Sequence, residues 1–294
     1  MNLLKFFLSC LLVLPLSAYA EITVFDDSGN KLVFEKPVER IISLAPHATE
    51  LLFAAGAGKQ IVATVDYSDY PEQARKIQRI GNYKKVDYEK ILSLQPQLVI
   101  YWKNGNPDYM IDGVKNLKIK LFNNEPKDFA DVAASIRMLG KLLGTERVAE
   151  VKAREYLGRL EKLRGKYQRS RNNKVRVFYQ VWNQPLMTIN RQHLINDVIE
   201  FCGGINVFAD IDNIVPTVDM ESVMSKKPEV IIAGMAKGRE DWLNQWQRWK
   251  TLDAVKNNNL YGIDAELIVR QTPRILDGTE EMCETLQRFR NKHN

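Results

Sequence analysis

The 294 residues carry 45% hydrophobic and 27% charged side chains, a length and balance that suit two domains of ordinary size. The formal net charge of +6 is mild. Its basic clusters, Arg164 to Lys174 and Arg288 to Lys292, are short and read as solvated helix ends, which excludes a nucleic-acid footprint.

In chain order, Lys5 is the one charge before an apolar stretch from Phe6 to Leu16, and Ala18-Tyr19-Ala20 forms an A-x-A cleavage site. Residues 1–20 therefore read as a signal peptide cleaved after Ala20, with a periplasmic destination. No later run approaches about 18 apolar residues, so a soluble mature chain is expected. Removing Lys5 with the signal leaves a net charge of +5. Cys10 goes too, and Cys202 and Cys283 remain in an oxidising compartment, where a disulfide is the simplest outcome and two buried thiols the alternative. The bond would close a loop of about 80 residues, worth about 4–5 kcal/mol if chain entropy governs.

Residues 21–37 predict a strand pair turned at Asp27-Ser28-Gly29-Asn30. Strands follow at Arg40–Leu44, Ile61–Val65, Leu98–Trp102 and Ile119–Phe122. A helix opens at Pro46 and closes at Gly56, and Asp87 caps a short one that stops before Pro96. From Phe129, apolar residues at Val132, Ala133, Ile136, Leu139 and Leu143 have helical spacing. Strands fed by helices predict an α/β lobe with a largely parallel sheet over 21–145. Residues 146–170 contain no proline and many charges, and read as one long, solvent-exposed helix able to join two lobes rigidly. The α/β pattern restarts over 171–294: a strand at Val175–Trp182, a helix at Arg191–Phe201, a strand at Val230–Ala233, a helical face bearing Trp242, Trp246 and Trp249, a strand at Tyr261–Asp264, and a last helix from Arg274 to Arg290.

The two halves share a motif. VDYEKILSLQPQLVIY at 86–101 returns as VDMESVMSKKPEVIIA at 218–233, an offset of 132 residues, too long for a solenoid period. It implies two lobes on one plan and places Glu89 and Glu221 equivalently. Each glutamate on its own reads as a first-turn acid favourable to a helix dipole by about 0.3–1 kcal/mol; as a pair they suggest docking to a two-fold partner.

Catalytic motifs are sparse. The chain has no G-x-S-x-G and no C-x-x-C, and Gly56-Ala57-Gly58-Lys59 fails as a phosphate loop because Phe53 and Gln60 stand where glycine and Ser/Thr are needed. Of the three histidines, His193 and His293 are expected at the surface; His47 alone is too few for a metal receptor. The reading is a binding protein, not an enzyme, without a cofactor or metal of its own. Tyr67, Tyr70, Tyr83, Trp102 and Trp182 fall at strand ends or in the loops beyond them, where open α/β sheets bind ligands, and could line a cleft for a large, flat molecule.

Several stretches resemble the helical-backbone class of periplasmic binding proteins, and within it the cobalamin-binding proteins of ABC importers. They are Ile42-Ser43-Leu44-Ala45-Pro46-His47-Ala48-Thr49-Glu50-Leu51, Tyr67-Ser68-Asp69-Tyr70-Pro71, both repeat copies, Cys202 to Phe208, and Pro273-Arg274-Ile275-Leu276 followed by Cys283. The resemblance spans about residues 38 to 290. It implies two lobes on one long helix, a cleft between them with little hinge motion, a monomeric carrier, and transported cobalamin as the ligand. Glu89 and Glu221 match the glutamates that dock on the permease dimer of the inner-membrane importer. Tyr67 and Trp102 match ligand-contacting rings, Tyr83 replaces a tryptophan, and Trp182 falls near a second-lobe aromatic. Pro46, His47 and Arg270 complete the expected ligand set. His47 either approaches the metal of a bound macrocycle or is a polar first-turn residue. Val215 stands where a tryptophan is expected, and Glu266-Leu267-Ile268-Val269-Arg270 lacks an aromatic pair, so the second-lobe wall is more aliphatic. Haem or a ferric siderophore is the alternative cargo. An exported enzyme using the cleft, or an interaction protein without a small ligand, is the alternative of another class.

Overall fold

The computed structural model describes residues 21–168, 173–235 and 241–293; the expected signal peptide lies outside them. An antiparallel hairpin, β1 (Ile22–Phe25) and β2 (Lys31–Phe34), opens the chain. The Asp26 carboxylate accepts the Ser28 and Asn30 amides at 2.9 and 2.8 Å, and Gly29 supplies the left-handed turn at φ +81°.

The first lobe follows with β3 (Ile41–Ser43), α1 (Pro46–Ala54), β4 (Ile61–Thr64), α2 (Tyr88–Ser93), β5 (Leu98–Tyr101), α3 (Asp108–Asn116), β6 (Lys120–Asn123) and α4 (Phe129–Leu143). After α5 (Glu146–Tyr167), the second lobe has β7 (Val175–Gln180), α6 (Leu194–Phe201), β8 (Gly204–Asn206), α7 (Met220–Lys226) and β9 (Val230–Met235). It ends with α8 (Asp241–Asn244), α9 (Asp253–Lys256), β10 (Leu260–Asp264), α10 (Ala265–Ile268) and α11 (Ile275–His293).

The sheets run β4-β3-β5-β6 and β8-β7-β9-β10, every pairing parallel. Numbered within each lobe, both orders are 2-1-3-4, and the repeated motif supplies the crossover helix and third strand each time. Alternate residues of a strand enter different cores, as a period of two requires. Ile100 and Tyr179 face a central core, while Val99 and Phe178 face separate outer cores. Strands covered on both faces read as unbroken apolar runs, which is why Leu98–Tyr101 is buried throughout.

The central core is continuous from Leu51 and Ile136 through Tyr156 to Leu286, so the lobes share it. Helix α5 packs one face along it. The helix is not solvent-exposed all round as expected: Ala149, Ala153, Tyr156, Leu160, Leu163 and Tyr167 form a buried face, while Val148 and Val151 point outward. Gly140 lets α4 approach it closely, because a Cβ there would lie 2.3 Å from that of Ala149. Arg159–Asp277 at 2.6 Å and Lys166–Glu280 at 2.7 Å tie α5 to α11.

Other expectations need correction. Helix α6 starts at Leu194, not Arg191, because Asn190 turns the chain and His193 caps the helix, its Nδ1 accepting the Ile195 amide at 3.1 Å. His193 is thus a half-buried cap and not a surface residue, and burial lowers its pKa to about 4. The tryptophan face is divided between α8 and a 3-10 turn, Gln245–Arg248, with Trp242 and Trp246 buried and Trp249 half-buried. Helix α3 has no counterpart in the sequence reading.

Candidate functional site

The elements of both lobes bring their chemistry to the carboxyl ends of the strands. A 2-1-3-4 order has its switch point between the first and third strands, where a crevice opens. In the first lobe β3 leads into Pro46 and His47, and β5 leads into Trp102. In the second, β7 leads into Trp182, and Trp242 belongs to the helix following β9. The two switch points carry equivalent ring pairs. His47 meets Trp102 edge-on at 5.3 Å and 84°, and Trp242 meets Trp182 at 5.2 Å and 77°. In each pair one ring is buried and the other reaches outward: His47 and Trp242 are 3% and 4% exposed, Trp182 is 49% exposed and Trp102 is half-buried.

The first pair sits in a polar frame. His47 Nε2 lies 3.0 Å from the Asn124 carbonyl, and Trp102 Nε1 donates to Glu125 Oε1 at 3.3 Å. The Trp102 amide donates to Asn106 Oδ1 at 2.8 Å, and the Glu125 amide is held by Asp27 from the N-terminal hairpin. Burial raises the pKa of Asp27, against the bond from that amide. Burial also lowers His47 to about 4, against the pull of the Asn124 carbonyl, so the neutral imidazole donates through Nε2. His47 thus occupies a first-turn position with its ring buried against Trp102 and Nε2 committed to the Asn124 carbonyl.

Tyr67 and Tyr83 project from loops of the first lobe, 67% and 57% exposed. Tyr67 adopts the left-handed region at φ +65°, which costs a non-glycine residue about 1–2 kcal/mol. Tyr109 of α3 donates to the Lys84 carbonyl at 2.6 Å and braces the Tyr83 loop. Val215 is 37% exposed, and Leu267 is half-buried.

Arg270 is not an open cleft side chain. It is 8% exposed and crosses to the first lobe, where Nη1 donates to Glu50 Oε1 at 2.9 Å and Nη2 to the Tyr67 carbonyl at 3.1 Å; it also touches Glu266. Arg274 donates through Nε to Glu50 Oε2 at 3.0 Å, and its guanidinium stacks over the Tyr70 ring at 4.0 Å. The sequence reading missed Glu50 as a functional candidate. The available signal was a carboxylate inside the apolar run of α1. A cavity of about 1020 Å³ lies on the α5 side of this junction, lined in part by Glu50, Phe53, Tyr70, Tyr156 and Arg274; of the five strand-end rings Tyr70 lines it, and Tyr67, Tyr83, Trp102 and Trp182 do not.

Glu89 and Glu221 each occupy the second position of a repeat helix, α2 and α7. The preceding Asp87 and Asp219 cap those helices, accepting the Lys90 and Ser222 amides at 3.0 and 2.7 Å. Both glutamates are exposed and form no ion pair with another described residue. Cys202 and Cys283 are joined as a disulfide within the second lobe. Among the described residues no group of His, Cys, Asp and Glu is arranged to hold a metal, and no helix is long and apolar enough to cross a membrane.

Residues 41–267 match the family described as periplasmic binding protein. The vitamin B12-binding protein of Vibrio cholerae O1 is 37% identical over 255 residues, 85% of this chain and 90% of its own. The crystal structure of periplasmic vitamin B12-binding protein BtuF of Vibrio cholerae superposes with a TM-score of 0.79 at 36% identity, over 86% of this chain and 98% of that one. The periplasmic haem-binding protein RhuT of Roseiflexus gives a TM-score of 0.74 at 23% identity, over 86% and 99% of the two chains, a likeness of fold alone.

Proposed function

The chain belongs to the periplasmic binding protein family, and from that membership we propose that it captures cobalamin or a related corrinoid between its lobes and delivers it to an inner-membrane ABC importer. The observation that carries the ligand is the mirrored pair of ring mounts at the two switch points, in a chain 36% identical to a vitamin B12-binding structure. Rings held edge-on by buried partners form rigid apolar walls, and Tyr67 and Tyr83 add exposed faces. The protein works as a monomer after signal cleavage at Ala20 and does no chemistry on its cargo. Glu89 and Glu221 dock on the permease dimer.

Haem or a ferric siderophore is the second reading, favoured by the aliphatic Val215 and Leu267 on the second-lobe wall. The burial of His47, with Nε2 bonded to the Asn124 carbonyl, speaks for the cobalamin reading. Calorimetric titration of the mature protein with cyanocobalamin, haem and a ferric siderophore decides between the readings. Saturable one-to-one binding of cyanocobalamin alone is expected. Preference for haem or siderophore would overturn the ligand and leave the fold and family intact.

A further inference from the structure

The junction around Glu50 links the lobes at one carboxylate. Glu50 belongs to the first lobe and its side chain is 2% exposed. Its partners, Arg270 and Arg274, belong to the second lobe and lie in the segment between α10 and α11. Each arginine then returns to the first lobe at a different tyrosine of one loop: Arg270 holds the Tyr67 carbonyl and Arg274 covers the Tyr70 ring. Glu266, 53% exposed, meets Arg270 from the solvent side, so inside the junction Glu50 is the one buried carboxylate that both guanidiniums share.

Tyr67 needs such support. A non-glycine residue persists in the left-handed region only where its surroundings over-determine it, and such residues gather at binding sites. Nearby backbone bonds from Ser68 to Val65 and from Asp66 to Gly81 fix the loop on one side. The arginine from the other lobe fixes the carbonyl of Tyr67 itself, while its ring stays 67% exposed.

We infer that Glu50 is a positioning residue for ligand capture: through Arg270 and Arg274 it sets the pose of the Tyr67–Tyr70 loop and makes that pose depend on the spacing of the lobes. Arg270 then acts on the ligand through Tyr67. The inference rests on the cleft-binding reading and adds residues to it. The opposed lobes and the ligand platform become one mechanical unit, because separating the lobes would pull both arginines off the loop.

The test is a double-mutant cycle of Glu50→Gln and Tyr67→Ala, titrated with cyanocobalamin, with amide hydrogen exchange recorded for each protein. Glu50→Gln is expected to weaken binding about tenfold or more, a loss comparable to that of a removed contact. It should add little to Tyr67→Ala, because both changes remove one platform. Exchange should accelerate at residues 66–70 while β3–β6 stay protected. Wild-type affinity in Glu50→Gln, or losses that multiply in the double variant, would overturn the inference. Should Glu50→Gln fail to fold, Arg270→Lys replaces it in the cycle, since an ammonium cannot span Glu50 and the Tyr67 carbonyl as the fork does. If the wild-type protein itself refuses cyanocobalamin, the ligand reading fails; unaltered exchange at 66–70 in the variant would then sink the positioning role independently.

Discussion

His47 shows how one side chain can be conspicuous in sequence while its use is set elsewhere. Its partner, Asn124, lies 77 residues away, and its enclosing ring belongs to another strand end. No local pattern contains that information. The same holds for Glu50, whose arginines lie 220 and 224 residues on. Burial has a measurable consequence for His47. In the unfolded chain the imidazole protonates near 6.5, and in the folded protein only near 4. Acidification through that interval charges the unfolded state first, so stability falls between pH 6.5 and 4 and the His47 contribution is level below it. The loss from this group is at most about 3 kcal/mol. Asp197 works in the opposite sense: burial, then Asp128 and Glu200, raises it to about 6, so acidification through pH 6 to 4 relieves an unfavourable charge. A His47→Gln variant separates the two. Urea midpoints at pH 7, 5.5 and 4.5 should decline less steeply in the variant than in the wild-type protein, and equal slopes would refute the assignment.

Among elements, the buried parallel strands and α4 were legible because extended apolar runs and 3.6-residue spacing survive in the sequence alone, and the long α5 because a charged run of that length without proline has few other readings. Short helices were not. Helix α3 offers only Met110, Ile111 and Val114 as its buried face, and a helix of nine residues depends on tertiary packing for its existence. The cysteine pairing was legible by elimination. It joins the end of α6 to the middle of α11, with both side chains buried and a sequence separation of 81. Cross-linking so distant a pair restricts the unfolded chain more than it shapes the folded one. The Cys202→Ala, Cys283→Ala double variant should therefore lose about 2–5 kcal/mol of unfolding free energy in urea titrations. Cyanocobalamin affinity should be unchanged, since neither cysteine touches the ring mounts. A stability equal to that of the wild-type protein would show that the bond does not act as a staple.

At the scale of the molecule, the repeat was the most legible feature, and the matching 2-1-3-4 sheets give it physical form. Each copy leads a short crossover helix, anchored by one buried side chain, Ile91 or Val223, into the same strand of its sheet, and each presents one exposed glutamate at the helix start. The interlobe junction was illegible, since it depends on how two separately folded sheets are set against one core. That core matters for delivery. Because α5 and the Glu50 junction tie the lobes together, the spacing between Glu89 and Glu221 depends on both lobes at once. On the proposed reading docking uses surface charge and ligand capture the strand ends, so the two are separable by experiment. Reversing both charges, Glu89→Lys with Glu221→Lys, should abolish ligand uptake in cells that depend on this importer. Calorimetric affinity for the ligand should remain that of the wild-type protein, because both glutamates are exposed at helix starts and belong to neither ring pair. Each single reversal should give a partial defect, as expected when one of two equivalent contacts survives. Normal uptake by the double variant would remove these residues from the docking surface and leave their helix-start position as their whole role.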